Sequence, residues 1–233
     1  MNEIPVHRTE GRPDVVRGSK RARDFPLGEP GAPRRTGRTP AEKVADLHAI
    51  LDWLDVERSI RYQPEYRFYL FPRTTYCNVY AYDYCYLAGV FLPRVWWKED
   101  ALRKLRSGTA LSVVYGAGPS DTVHEILANE LVDWFEAWGT TAGWTEVPSL
   151  TALQDNANAG GVSIICAKTR DAGHHGHILA VVPEHATQQA VRATNQVRLP
   201  LQSQAGARNF KARAAGEWWR DAKFQKVAWW IHP

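Results

Sequence analysis

The stretch NANAGGVSIICAK, Asn156–Lys168, marks a change in texture on which the fold assignment turns. Before it, apolar residues recur at helical spacing. After its glycine pair come VSIICAK, HILAVVP, QVRLPLQ and KVAWWIH, short β-branched or aromatic runs separated by turn-forming residues, the pattern of an antiparallel meander. Helices followed by a sheet define an α+β architecture.

Working back from that junction, Leu150–Ala157 reads as a short helix. A longer one is expected from Ser120–Thr122, with Glu125 in the capping position and Val123, Ile126, Leu127, Leu131, Trp134 and Trp138 on one face. TPAEKVADLHAILDWL carries a capping box, Thr39 with Glu42, and Pro40 at the first helical position, ahead of Val44, Leu47, Ile50, Leu51 and Leu54. YRFYLFP is short and β-prone. Thr74 or Thr75 is then placed to cap a helix over Tyr76–Ala88, which Gly89 stops.

Residues 1–40 hold eight Arg and one Lys against five acids, with six Pro and five Gly; residues 41–233 carry 20 basic and 20 acidic groups. A segment of that composition buries little apolar surface, so residues 1–38 are expected to form a flexible basic leader. Residues 39–233 then form a single catalytic domain with a helical insertion over about 98–158. The neutral domain offers no basic face for nucleic acid. No apolar run reaches membrane-spanning length and no apolar core of a Sec signal is present, so synthesis in the cytoplasm is expected, with any action outside it requiring another export route.

The three cysteines, Cys77, Cys85 and Cys166, include no CxxC pair, which argues against a disulfide framework or a thiolate zinc site. Cys77 falls at a helix start, where unpaired N–H groups and the helix dipole favour thiolate and can hold an oxyanion. Packing as a small hydrophobe is the competing reading. Cys85 lies mid-helix and Cys166 in an apolar strand, both core positions.

A nucleophilic thiol needs a base, and the histidines cluster in DAGHHGHILAVVPE. His177 opens a strand after a glycine turn and is the favoured partner. His174, His175 and His177 with Asp171 have the ligand types of a metal site but not the spacing of zinc peptidases, and no metal or other cofactor is expected. The imidazole needs an orienting group. Glu184 lies roughly 23 Å along an extended strand from His177, whereas an adjacent antiparallel strand can present Gln204, or less favourably Gln202.

These features, the helix-opening cysteine in TTYCNVYAYD and the strand start GHILAVVPE, resemble the NlpC/P60 and CHAP-type branch of papain-like cysteine peptidases. The resemblance covers roughly residues 69–204, with Tyr76 and Asn78 standing where the family often has Asp or Asn and Ser-Gly. It implies a papain-like sheet with a packed nucleophile helix, Cys77 as nucleophile, His177 as base, and cleavage of peptide or amide bonds in peptidoglycan. The expected substrate contacts are Tyr76, Asn78 and Trp97, and the expected partner is a peptidoglycan stem peptide. The resemblance also implies action in a cell wall or periplasm, as an exported antibacterial effector with an immunity protein and a secretion apparatus, or as a lysis enzyme. A non-catalytic glycan- or protein-binding module using tryptophans, and a papain-like deamidase or acyl transferase, are the other readings.

Overall fold

A computed structural model describes residues 12–65, 74–116, 118–171 and 175–233. In chain order the elements are α1 (Pro40–Leu54), α2 (Cys77–Leu87), β1 (Val95–Trp97), α3 (Glu99–Arg106), β2 (Val123–Glu125), α4 (Ala128–Trp134), β3 (Thr145–Glu146) and α5 (Leu150–Asn158). The sheet-forming half follows with β4 (Val162–Thr169), β5 (His177–Val181), β6 (Val191–Ala193), β7 (Gln196–Leu199), β8 (Gln202–Gln204), β9 (Phe210–Arg213) and β10 (Phe224–His232). The α+β reading holds. The expected YRFYLFP strand, residues 66–72, lies outside the described residues.

The central sheet is antiparallel with order β3-β10-β4-β5-β8-β9, and both of its faces are covered. Side chains alternate along β4 and β5. Ile164, Cys166, Ile178 and Ala180 enter the main core with α1, α2 and α4, while Ile165, Leu179 and Val181 face α5 through Leu153 and Ala157. Two-sided cover lets adjacent tryptophans both pack: Trp230 stacks on Phe135 at 5.1 Å in the main core, and Trp229 lies against the opposite cluster.

Helix α1 has the expected capping box, the Thr39 side chain accepting from the Glu42 N–H and Glu42 reaching back to the Thr39 N–H. Helix α5 starts on Ser149. The helix expected from Thr122 does not form there. Val123 pairs with Trp97 in a β1–β2 ribbon, Thr122 Oγ1 serves the 112–114 backbone, and α4 begins after Leu127, whose N–H donates to Glu130 at 2.9 Å. Strand pairing captures the start of the pattern, and Glu130 rather than Glu125 does the capping. The 98–158 region is consequently a mixture of α3, α4, α5 and short strands rather than a helical insertion.

The expectation of a flexible leader fails for residues 12–38. Val15 and Leu27 are fully buried in the main core. Arg34 donates to the Tyr86 carbonyl at 2.9 Å, and Arg35 donates to the carbonyls of Ala88 at 3.0 Å and Gly160 at 2.7 Å. The segment forms a strap along α2. Its order comes from two isolated apolar anchors and from arginines bonded to backbone carbonyls, neither of which produces hydrophobic periodicity.

Midway along α2, Asp83 and Arg61 form an ion pair of 2.6 Å with both side chains fully buried. Tyr62 also donates to Asp83 at 3.0 Å, and Arg61 Nη2 donates to the strap carbonyl of Phe25 at 2.8 Å. Removing one member strands a buried charge. Asp83→Ala is expected to lower the unfolding free energy by about 3–5 kcal/mol in a urea titration. A loss under about 1 kcal/mol contradicts a buried, hydrogen-bonded pair.

Candidate active site

Helix α2 starts at Cys77 without a side-chain cap. Neither threonine supplies the expected cap: Thr74 instead pairs with Glu65 through backbone bonds of 2.9 and 2.7 Å. The Asn78 N–H of the first turn is therefore left for the thiol. Cys77 is only 6% exposed, its sulfur is hydrogen-bonded to the His177 side chain, and the backbone N–H groups of Asn78 and Ile178 also serve it. Burial pushes the thiol pKa up, but the His177 bond and charge, with these N–H groups, outweigh burial and hold it below its ordinary value.

His177 is the first residue of β5, paired with Ala167 of β4. The preceding glycine is required by space, since a Cβ at Gly176 would come within 2.3 Å of the Ala167 carbonyl oxygen. His177 Nε2 lies 2.7 Å from Gln204 Oε1, which leaves Nδ1 to face the sulfur. Gln204 Nε2 donates to the Arg208 carbonyl at 3.0 Å, so the amide presents its oxygen to the ring. Burial disfavours the imidazolium, yet the bonds to Cys77 and Gln204 raise the His177 pKa above its ordinary value.

The β5–β8 register explains which glutamine reaches the histidine. Ala180 pairs with Ser203 and Val181 with Gln202, so continuing the ladder puts Gln204 opposite Leu179, one diagonal step from His177 on the same face. Ser203 points the other way, to the Tyr80 hydroxyl, tying α2 to the sheet.

Gln202 is fully buried and does not touch the imidazole. It accepts from Trp218 Nε1 at 3.0 Å and donates to the Ala215 carbonyl at 3.0 Å. Trp218 stands edge-to-face on His177, with ring centroids 4.8 Å apart. Gln202 thus acts one residue removed, through the tryptophan that walls the imidazole. Beyond that wall opens a cavity of about 560 Å³ lined by His175, Gln204, Phe210, Trp218, Lys223 and Phe224 among others.

The structure separates the remaining candidates. Glu184 binds Arg192 at 2.6 Å and Asn158 at 2.6 Å, and these bonds, Arg192 foremost, lower its carboxyl to about 2; it takes no part in orienting His177. Asn78 is buried, donates to the Ile126 carbonyl at 3.0 Å and accepts from the Val79 N–H, so its amide is committed internally rather than offered to substrate. Trp97 is 4% exposed in a separate small core with Val95, Ala101 and Val123, which corrects its expected role as a substrate contact. Tyr76 is half-buried beneath the Arg23 guanidinium.

Cys85 and Cys166 are fully buried. Burial pushes both thiols far up, aided at Cys166 by the nearby charge of Cys77. Among the described residues no three His, Cys, Asp or Glu side chains converge to hold a cation, and His174 lies outside them. Trp218 is the site residue that sequence reasoning passed over. Its only signal is the Trp218-Trp219 doublet, and nothing in the doublet points to a histidine 41 residues earlier in the chain. No protein-family model, curated protein or solved structure matches the chain.

A lowered thiol beside a raised imidazole brings the two titrations towards each other, which favours a thiolate–imidazolium pair over two neutral groups. The thiolate appears as pH rises through the depressed Cys77 value, and the proton on His177 is retained until pH passes its elevated value. Iodoacetamide is therefore expected to alkylate Cys77 with a half-maximal rate at a pH below the ordinary thiol value of 9.0, while Cys85 and Cys166 stay unmodified in the folded protein. A half-maximum at or above that value contradicts the pairing.

Proposed function

We propose that this protein is a papain-like cysteine hydrolase that cleaves a peptide or amide bond in peptidoglycan. The observation that carries the reading is the chain of contacts from Cys77 through His177 to Gln204, at the junction of α2, β5 and β8. A thiol held below its ordinary pKa is a nucleophile, an adjacent imidazolium is a proton donor, and an amide oxygen on the far ring nitrogen fixes the imidazole.

In the proposed reaction the Cys77 thiolate attacks the scissile carbonyl carbon, whose π electrons move to oxygen. Main-chain N–H groups at the uncapped start of α2 stabilise that oxyanion. Collapse of the intermediate breaks the C–N bond while His177 gives its proton to the leaving amine. A water, deprotonated by His177, then attacks the thioester, and cleavage of the C–S bond releases the acid and restores the thiolate–imidazolium pair. Gln204 keeps the ring aligned through both proton transfers.

The substrate class rests on the resemblance of the Cys77 and His177 stretches to the peptidoglycan-cleaving branch of these peptidases. An immunity partner and an export or lysis route belong to the same reading. No helix among the described residues is long and apolar enough to cross a membrane. A binding module built on exposed tryptophans is less well supported, because Trp97, Trp134, Trp144, Trp219 and Trp230 are each no more than 7% exposed and serve as core.

Mass analysis of purified muropeptides after incubation tests the proposal and reports which bond is cut. Wild-type protein is expected to release new fragments, Cys77→Ala and His177→Ala to lose about a thousandfold or more in rate, and Gln204→Ala to fall in between. Chelators are expected to leave the rate unchanged, because the thiol supplies the nucleophile. Intact muropeptides after prolonged incubation with wild-type enzyme whose Cys77 is reactive would show that the substrate lies elsewhere.

A further inference from the structure

The residues on either side of Cys77 are held by a single polar network that starts in the strap. The Arg23 guanidinium lies 3.5 Å above the Tyr76 ring. Arg23 is fixed in turn: Nε donates to the Arg61 carbonyl at 3.0 Å, and Nη1 lies 3.3 Å from Glu65. Its own carbonyl accepts from Arg94 Nε at 2.8 Å. Arg94 Nη2 reaches Glu125 at 2.7 Å, and the Ile126 N–H donates to the Arg94 carbonyl at 3.2 Å. Asn78 closes the circuit, its amide donating to the Ile126 carbonyl at 3.0 Å and lying 3.5 Å from Glu125.

Arg23 thus bears on both neighbours of the nucleophile, directly on Tyr76 and through Arg94 on Asn78. We infer that Arg23 is a positioning residue for Cys77, and that the strap of residues 12–38 is a working part of the active site. This inference rests on the thiolate–imidazolium reading of the site. Its physical basis is that Tyr76 occupies the cap position of α2 without capping it, so the start of the first turn is held by what clamps Tyr76 and Asn78. A loosened first turn withdraws the Asn78 N–H from the sulfur and lengthens the contact with His177. Arg35, at the far end of the same strap, bonds the last carbonyls of α2 and of the α5–β4 turn and has no such link to Cys77.

The test is the pH dependence of iodoacetamide alkylation at Cys77, read by mass spectrometry, together with thermal unfolding of each full-length variant. Arg23→Ala is expected to move the alkylation profile towards higher pH by about one unit, an approximately tenfold slower reaction on its rising limb. Arg23→Lys, which keeps a cation over the ring, recovers most of that loss. Arg35→Ala lowers the melting temperature but leaves the profile in place. Tyr76→Leu removes the ring while sparing the other Arg23 bonds and shifts the profile as Arg23→Ala does, which preserves the test if that variant does not fold. A wild-type profile at the ordinary thiol value overturns the site reading and this inference with it. A normal wild-type profile with unshifted Arg23→Ala or Tyr76→Leu, or an equal shift in Arg35→Ala, overturns the inference alone.

Discussion

The contact between Cys77 and His177 is the constraint around which the molecule is arranged. Cys77 is buried and His177 half-buried, and burial by itself drives a thiol and an imidazole towards their neutral forms. The opposite outcome requires each to supply the other's counter-charge at hydrogen-bonding distance, with N–H groups on the sulfur and an amide oxygen on the ring. Cys85, eight residues further along the same helix, shows what burial does without those partners. The difference between the thiol proposed as nucleophile and a packing cysteine lies here in position, not in residue type.

Holding that contact requires a helix N-terminus and a strand start to meet with little freedom. The Ser203–Tyr80 bond joins α2 to β8, and Gly176 lets β5 begin hard against β4. The strap then runs alongside α2. It meets the helix C-terminus through Arg34 and Arg35, its middle through the Phe25 carbonyl and Arg61, and its start through Arg23. The cationic side chains near the last carbonyls of α2 complement the negative end of its dipole, and the opposite end is kept open for a sulfur anion. Part of a basic composition that invites an electrostatic partner, Arg17, Arg23 and Arg35 above all, is committed to carbonyls and carboxylates of the fold.

Much of this was legible in the residues. The capping box of α1, the Ser149 start of α5 and the four strand runs after Gly161 are local signals that tertiary context left intact. Gln204 was accessible too, because antiparallel geometry brings a neighbouring strand to His177 while separating it from Glu184. What failed depended on pairings between distant segments. Val123 carries a helical pattern but joins a ribbon with Trp97, which also removes Trp97 from any ligand surface. Residues 12–38 lack periodicity because their order comes from carbonyl bonds made by arginines. Gln202 misses the imidazole for a similar reason: the side-chain bond that commits it to Trp218 spans 16 residues and crosses a turn no local rule specifies.

The claim on which the account stands is that Cys77 and His177 exist as a thiolate–imidazolium pair in the folded protein. Ultraviolet absorbance of the thiolate, recorded along a pH titration as the difference between wild type and Cys77→Ser, measures that state without any substrate. The account predicts that the thiolate band rises in the wild type at a pH below the ordinary thiol value of 9.0, and at a higher pH in His177→Ala. A wild-type spectrum matching that of Cys77→Ser until the pH approaches the ordinary thiol range would contradict it.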